Sequence, residues 1–511
     1  MDNRKISALN VGTSIVSRII ILLFSIVVRR LLIQYIGNEV NGLNSLYTSV
    51  IGTLSVAELG VGIAIVFSMY RPIVQGDKGK VAALYQLYKK LYRIIGLIIF
   101  LLGIIVMFFL PYLINDYELI NENVYLTFFL TLVSVVLSYL YSANTSLIEA
   151  HMENYITTCI LTAANIIRYG LQIVAIVVWK SYTAYVVCLI INTLIVWFLS
   201  SIAVRKRHGD VVLRHDSLDS ETKKEIVKNI KAMFLHKIGS LLVFSIDNII
   251  ISAFIGAVVL GKYSNYSMVA TTISGIISLI FSSLTSVVGH ICAEGDVKKT
   301  NNYFNHFYCL NYILGFVFFL GYYAVIDSLV VICFGSGVKM ARTVSLVISV
   351  NQFTQYMRKT PLLFRDASGT FYYDRWKPLA EGLFNLVLSL LLVKILPQEY
   401  RVTGVILATI ITTLLICYTV EPYVVFKHIF NRSSLGFTIK NYGFTALFVS
   451  SLFIFDRFKF STSNIYTTFL FNGLLSLVFS ALAISLVSVL IPSFRREIIA
   501  WVKVVTKRNT I

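Results

Sequence analysis

"RIIILLFSIVVRRLLIQYIGNEVNGLNSLYTSVIGTLS" (residues 18–55) lies without a gap over "KIGSLLVFSIDNIIISAFIGAVVLGKYSNYSMVATTIS" (residues 237–274) when the chain is shifted by 219 residues. Gly37 falls on Gly256, Gly42 on Gly261, Tyr47 on Tyr266, Thr53 on Thr272, and Arg18 on Lys237. Both stretches are apolar helix pairs, and chance agreement between two such pairs is the competing explanation. Read as a repeat, the match predicts two halves of like topology that run the same way through a membrane.

The membrane follows from composition. The 511 residues are 57% hydrophobic and 14% charged, whereas soluble domains sit near half apolar and a quarter charged. Apolar runs of ~20 residues recur throughout, which is the mark of spanning helices. They number about fourteen, near residues 11–36, 43–70, 93–114, 123–148, 156–179, 182–204, 233–255, 262–290, 306–334, 343–365, 376–396, 403–426, 441–457 and 465–491. The fold class is therefore an all-α polytopic membrane protein. Its expected parts are a first six-helix lobe (1–204), a polar linker (205–231), a second six-helix lobe (232–427), and two further spans with a basic tail (428–511). No signal-peptide cleavage site follows the start of the first apolar run. The six cysteines are scattered, so neither a disulfide framework nor a metal site is expected.

The net charge of +19 is unevenly placed. "RPIVQGDKGKVAALYQLYKKLYR" (71–93), "RKRHGDVVLRHDSLDSETKKEIVKNIK" (205–231), "RDASGTFYYDRWKP" (365–378) and "RREIIAWVKVVTKR" (495–508) fall on one side. The opposite loop "NDYELINEN" (115–123) has no Lys or Arg. The positive-inside rule puts both termini in the cytoplasm. The surplus charge then faces anionic lipid headgroups, and no nucleic-acid partner is expected.

Charges inside spans are costly and commonly line a bundle interior or a transport path. The basic set is Arg18, Arg29, Arg30, Arg168, Lys237 and Arg358; the acidic set is Glu58, Asp247 and Glu381. The basic excess favours an anion, and arginine suits phosphate because its planar fork bonds two oxygens at once. Arg18 and Lys237 occupy matching places in the repeat and form a natural pair for one anionic headgroup. Snorkelling to lipid phosphates is the plainer account. Glu58 lies 12 residues, roughly 18 Å, from the inner end of its span. It pairs with and orients Arg18 or Arg29, binds a coupling ion, or packs beside Gly60 and Gly62. Asp247 pairs across a cavity or within its own half. Pro361 predicts a kink where a gate bends, with Arg365, Asp366 and Glu381 as a gate ion pair or a loop salt bridge.

"GNEVNGLNSLYTSVIGTLSVAELGVGIAIVFSMYRP" (37–72), "FLHKIGSLLVFSIDNIIISAFIG" (234–256) and "FRDASGTFYYDRWKPLAEGLFNLVLSLLLVK" (364–394) resemble the polysaccharide transport family. These are the Wzx-like flippases of the multidrug/oligosaccharidyl-lipid/polysaccharide exporter superfamily. The resemblance covers nearly the whole chain. It implies two six-helix lobes in a V around a central cavity, with extra C-terminal spans. It also implies transfer of an undecaprenyl-pyrophosphate-linked oligosaccharide from the inner to the outer leaflet of the cytoplasmic membrane. The transfer proceeds by alternating access and serves capsule, exopolysaccharide or O-antigen assembly. Polysaccharide polymerase and glycosyltransferases are the expected partners beside the membrane lipids. No cofactor is expected beyond a coupling proton or sodium ion, and no P-loop is present. Ser17-Arg18 and Arg29 loosely match a Ser-Arg and a later arginine of related peptidoglycan-precursor flippases.

Together these readings assign the pyrophosphate to Arg18, Lys237, Arg168, Arg358 and Arg29, with Glu58 orienting them. Asn44, Ser45, Tyr47, Asn265, Tyr266 and Asn385 are assigned to a glycan cavity wall. The rival readings are a cation-coupled multidrug exporter of the same superfamily and a non-transporting scaffold for glycosyltransferases. An enzyme is not expected, because the histidines form no cluster and no carboxylates pair at a recognisable spacing.

Overall fold

The computed structural model describes residues 3–58, 61–214, 216, 218, 246–492 and 494–499. Among them the chain is helical, with no β-strand. The first helices are α1 (Asn3–Tyr35), α2 (Asn38–Leu54), α3 (Val61–Gln75), α4 (Lys78–Met107), α5 (Val124–Ala150), α6 (Asn154–Val177) and α7 (Tyr182–Val212). Next come α8 (Ile246–Phe254), α9 (Ala257–Ala293), α10 (Val297–Phe334), α11 (Arg342–Met357), α12 (Lys359–Ala367) and α13 (Lys377–Ile395). The last are α14 (Arg401–Thr412), α15 (Tyr418–His428), α16 (Leu435–Phe458) and α17 (Ile465–Leu490). Nine helical segments among the described residues are long and apolar enough to cross a membrane.

The chain divides into two compact units, residues 1–261 and 262–511. The first therefore reaches beyond residue 204. Of the linker expected at 205–231, only residues 205–214, 216 and 218 are described.

The 219-residue offset holds far beyond the quoted stretch. α2, α4 and α7 start at 38, 78 and 182; α9, α10 and α14 start at 257, 297 and 401. Local bonding repeats as well. The amides of Ile36 and Gly37 both donate to Leu32 O, and those of Ile255 and Gly256 both donate to Ile251 O. Gly37 and Gly256 have φ of 146° and 126°, a region that a Cβ largely forbids. Asp77 and Asp296 each cap a helix by accepting from the amide three residues on, Lys80 and Lys299, at 2.9 Å.

Two expected spans are interrupted. The run 43–70 is not one helix: it breaks between α2 and α3 at a 3-10 turn, Ser55–Glu58. Its counterpart in α9 is continuous. The run 343–365 breaks at Arg358, between α11 and α12. Pro361 has no N–H to offer the carbonyl of Met357, four residues earlier. The Asn311 side chain donates instead to Tyr356 O and Met357 O, at 3.1 and 3.4 Å.

Close approach within the first unit depends on two glycines. A Cβ on Gly42 would lie 1.8 Å from Ala257 O, and one on Gly261 would lie 2.2 Å from Asn38 O. The same contact is stitched by side-chain amides. Asn38 Nδ2 donates to Val258 O at 2.6 Å, and Asn41 Nδ2 to Gly261 O at 2.9 Å.

Candidate functional site

In the first unit, α1, which carries Arg29, packs against α6, which carries Arg168. Phe24 of α1 stacks on Tyr169 of α6 at 5.9 Å. The Arg168 guanidinium lies over the Tyr169 ring at 4.5 Å, in a cation–π contact. Arg168 Nε is buried with no hydrogen-bond acceptor among the described residues. A buried donor in that condition is costly to the protein alone, and an anion would satisfy it. Along the same helix pair, Leu9, Val16, Ile20 and Ile166 line an apolar groove of about 860 Å³. Ser17 and Thr162 hydrogen-bond at 2.6 Å beside it. Arg18 of α1 is exposed.

Glu58 is held by tyrosines rather than by an arginine. Tyr92 Oη donates to Glu58 Oε1 at 2.6 Å, and Tyr139 Oη to Glu58 Oε2 at 3.4 Å. Tyr88 stacks on Tyr92 at 4.2 Å, and Ser146 Oγ donates to the Tyr88 hydroxyl. Gly62 leaves the space for this cage, since a Cβ there would lie 2.2 Å from Tyr92 Oη. The expected pairing of Glu58 with Arg18 or Arg29 is therefore corrected. The break between α2 and α3 turns the carboxylate toward α4 and α5.

In the second unit, the Arg358 guanidinium is closed into a buried ion network. Nη2 donates to Glu421 Oε1 at 2.7 Å, Nη1 to Glu381 Oε1 at 3.0 Å, and Nη1 to Gln355 Oε1 at 2.6 Å. Lys377 Nζ meets both carboxylates, Glu421 at 2.5 Å and Glu381 at 3.0 Å. Two cations match two anions, and all four side chains are at most 9% exposed. The donors of Arg358 expected to take pyrophosphate are occupied by carboxylates. Glu381 belongs to this network and not to the Arg365 pair. Arg365 instead bonds Asp366 at 2.7 Å and the buried Asp374 at 2.6 Å.

The expected glycan wall also changes. Tyr47, Tyr266, Asn265 and Asn385 are all 0% exposed. Tyr47 Oη donates to Val124 O at 3.1 Å, the Met340 amide donates to Tyr266 Oη at 3.1 Å, and Asn385 Nδ2 donates to Thr409 Oγ1 at 2.9 Å. Such bonds hold helices together inside a unit, so these side chains wall no open cavity. Ser45 Oγ is spent on Asn41 O of its own helix at 3.0 Å, and Asn44 is half-buried. Asp247 sits in the first turn of α8, where the neighbouring Asn248 donates to Ser49 Oγ at 2.8 Å. Lys237 and Gly60 lie outside the described residues.

Lys377, Glu421 and Asp374 are charged residues of these networks that the sequence alone did not single out. The available signal was Glu421-Pro422 inside the apolar run 403–426. Lys377 and Asp374 fall at span ends, where a charge attracts no notice.

Residues 7–285, more than half of the chain, match the family described as polysaccharide biosynthesis protein. No curated protein matches. Among solved structures, lipid II flippase MurJ in an inward closed conformation has a TM-score of 0.62 at 15% identity, covering 94% of this chain and 98% of its own. An inward-facing multidrug resistance MATE family transporter of the MOP superfamily has a TM-score of 0.61 at 13% identity, covering 77% and 92%. A point mutant of the Vibrio cholerae MATE transporter VcmN has a TM-score of 0.58 at 12% identity, covering 84% and 98%. At these identities the likeness establishes the fold, that of multi-pass membrane transporters.

Proposed function

The chain belongs to the polysaccharide biosynthesis protein family, and on that premise we propose that it is a flippase for an undecaprenyl-pyrophosphate-linked oligosaccharide. It carries the repeat unit from the inner to the outer leaflet of the cytoplasmic membrane by alternating access, with both termini in the cytoplasm. The observation that carries this reading is Arg168 of α6, whose Nε is buried with no acceptor among the described residues. A guanidinium with an unspent donor favours a phosphate headgroup, which can accept several parallel hydrogen bonds. The apolar groove on the same helix pair suits the rest of an amphiphile. Glycan-assembly enzymes are the proposed partners, and the protein itself performs no bond-making chemistry. A coupling proton or sodium ion is the proposed energy source.

A cation exporter is less well supported by the side chains. Glu58 is enclosed by tyrosines, and Glu381 and Glu421 are already matched by Arg358 and Lys377.

The test is the affinity of the purified protein for undecaprenyl pyrophosphate, wild type against Arg29→Gln/Arg168→Gln. A loss of at least roughly tenfold, about 1.4 kcal/mol, supports the site. Equal affinity removes the site assignment. Absence of wild-type binding, with binding of a cationic drug instead, overturns the reading in favour of an exporter.

A further inference from the structure

A basic cavity in the first unit is lined by residues of α4, α5 and α7, and by none of α1 or α6. Lys89 and Arg93 of α4 and Arg205 of α7 line a cavity of about 190 Å³, together with Tyr85, Asn144 and Trp197. No carboxylate is among the lining residues, and among the described residues none of the three cations has an ion-pair partner. The nearby Asp210 is taken by Lys78 at 2.5 Å, and Glu58 is taken by Tyr92 and Tyr139. Three like charges around one cavity repel one another, an arrangement that an anion between them relieves.

The polar wall is held rigid. Tyr85 Oη donates to Asn144 Oδ1 at 2.7 Å, and Asn144 Nδ2 donates to Ser201 Oγ at 3.0 Å. Lys89 Nζ lies 5.3 Å from the centre of the Tyr85 ring. Trp197, 43% exposed, gives the rim an aromatic face of the kind that sits at lipid headgroup level.

The repeat shows that the fold does not need this cavity. The positions 219 residues after Tyr85, Lys89, Arg93 and Arg205 are Phe304, Tyr308, Tyr312 and Val424. There the rings fill the space. Tyr308 packs on Phe437 at 4.7 Å, Tyr312 on Phe444 at 4.2 Å, and Phe304 on Phe364 at 5.1 Å. One architecture thus holds an aromatic core in the second unit and an open basic cavity in the first.

We propose that Lys89, Arg93 and Arg205 form an anion site for a phosphate ester, separate from the arginines of α1 and α6. The phosphate belongs to a lipid headgroup or to a free phosphate compound, and both present the same oxygens to the three cations.

The intact protein carries its own reporter. The chain has four tryptophans, and among the described residues Trp197 is the one that lines the cavity. Trp179→Phe/Trp376→Phe/Trp501→Phe isolates its emission. The detergent-solubilised protein is titrated with inorganic pyrophosphate and, separately, with short-chain phosphatidylglycerol. A saturable change with either supports the site. A response to both assigns the recognition to phosphate alone, and a response only to the lipid assigns it to a headgroup with its chains. The affinity should fall at least roughly tenfold in Arg93→Gln/Arg205→Gln. Should that variant fail to fold, Lys89→Tyr/Arg93→Tyr installs the residues that the second unit carries at these positions. No saturable response to either probe, or unchanged affinity in the folded variant, overturns the proposal.

Discussion

The Tyr92 hydroxyl donates to Glu58 Oε1 over 2.6 Å, reaching from α4 to the 3-10 turn that separates α2 from α3. It stabilises the helix break by satisfying the one carboxylate within it. Tyr92→Phe removes the donor and leaves the ring, so the expected cost is about 1–3 kcal/mol, read as a lower unfolding temperature in detergent. Glu58→Gln in the same background should recover part of the loss. An unfolding temperature unchanged by Tyr92→Phe would show that the bond contributes nothing.

In the Arg358 network, one substitution should do more harm than two. Removing one charge strands its partners in a low-dielectric interior, so Arg358→Met should cost about 3–5 kcal/mol. Arg358→Met/Glu421→Leu should cost less than Arg358→Met alone, because Lys377 and Glu381 remain paired at 3.0 Å. Chemical denaturation of both variants in one detergent compares them.

Asn311 and Pro361 should be coupled. Asn311→Ala leaves Met357 O without a donor, at a cost of about 1–3 kcal/mol. In a Pro361→Ala background the new backbone N–H can take over that carbonyl, so the cost of Asn311→Ala should shrink by about 1 kcal/mol. A double-mutant cycle on unfolding free energy reads this directly, and strict additivity would refute it.

Gly42→Ala and Gly261→Ala each drive a methyl group into a backbone carbonyl, Ala257 O and Asn38 O respectively. Backbone cannot swing away as a side chain can, so each should cost about 1–3 kcal/mol or more. Gly170→Ala and Gly209→Ala meet nothing within 4 Å and should be neutral or slightly stabilising. Expression level and unfolding temperature of the four variants provide the comparison.

The positions of apolar runs and glycines belong to the chain itself. Mean hydropathy and run length require helices in a membrane whichever helices become neighbours. The 219-residue repeat is likewise visible as a string, and Gly37 and Gly256 mark it because a backbone region closed to Cβ admits little else. The partners of buried charges are a different matter. Glu58 finds tyrosines 34 and 81 residues away, and Arg358 finds Glu421 63 residues on. Charge inventory shows that such groups need partners but does not say which, because partnership depends on which helix faces turn together. The break at Ser55–Glu58 has no proline to announce it, and it carries the carboxylate that Tyr92 and Tyr139 hold. Lys89, Arg93 and Arg205 read in sequence as part of two basic clusters at span ends. Only the packing of α4, α5 and α7 makes them the walls of one cavity.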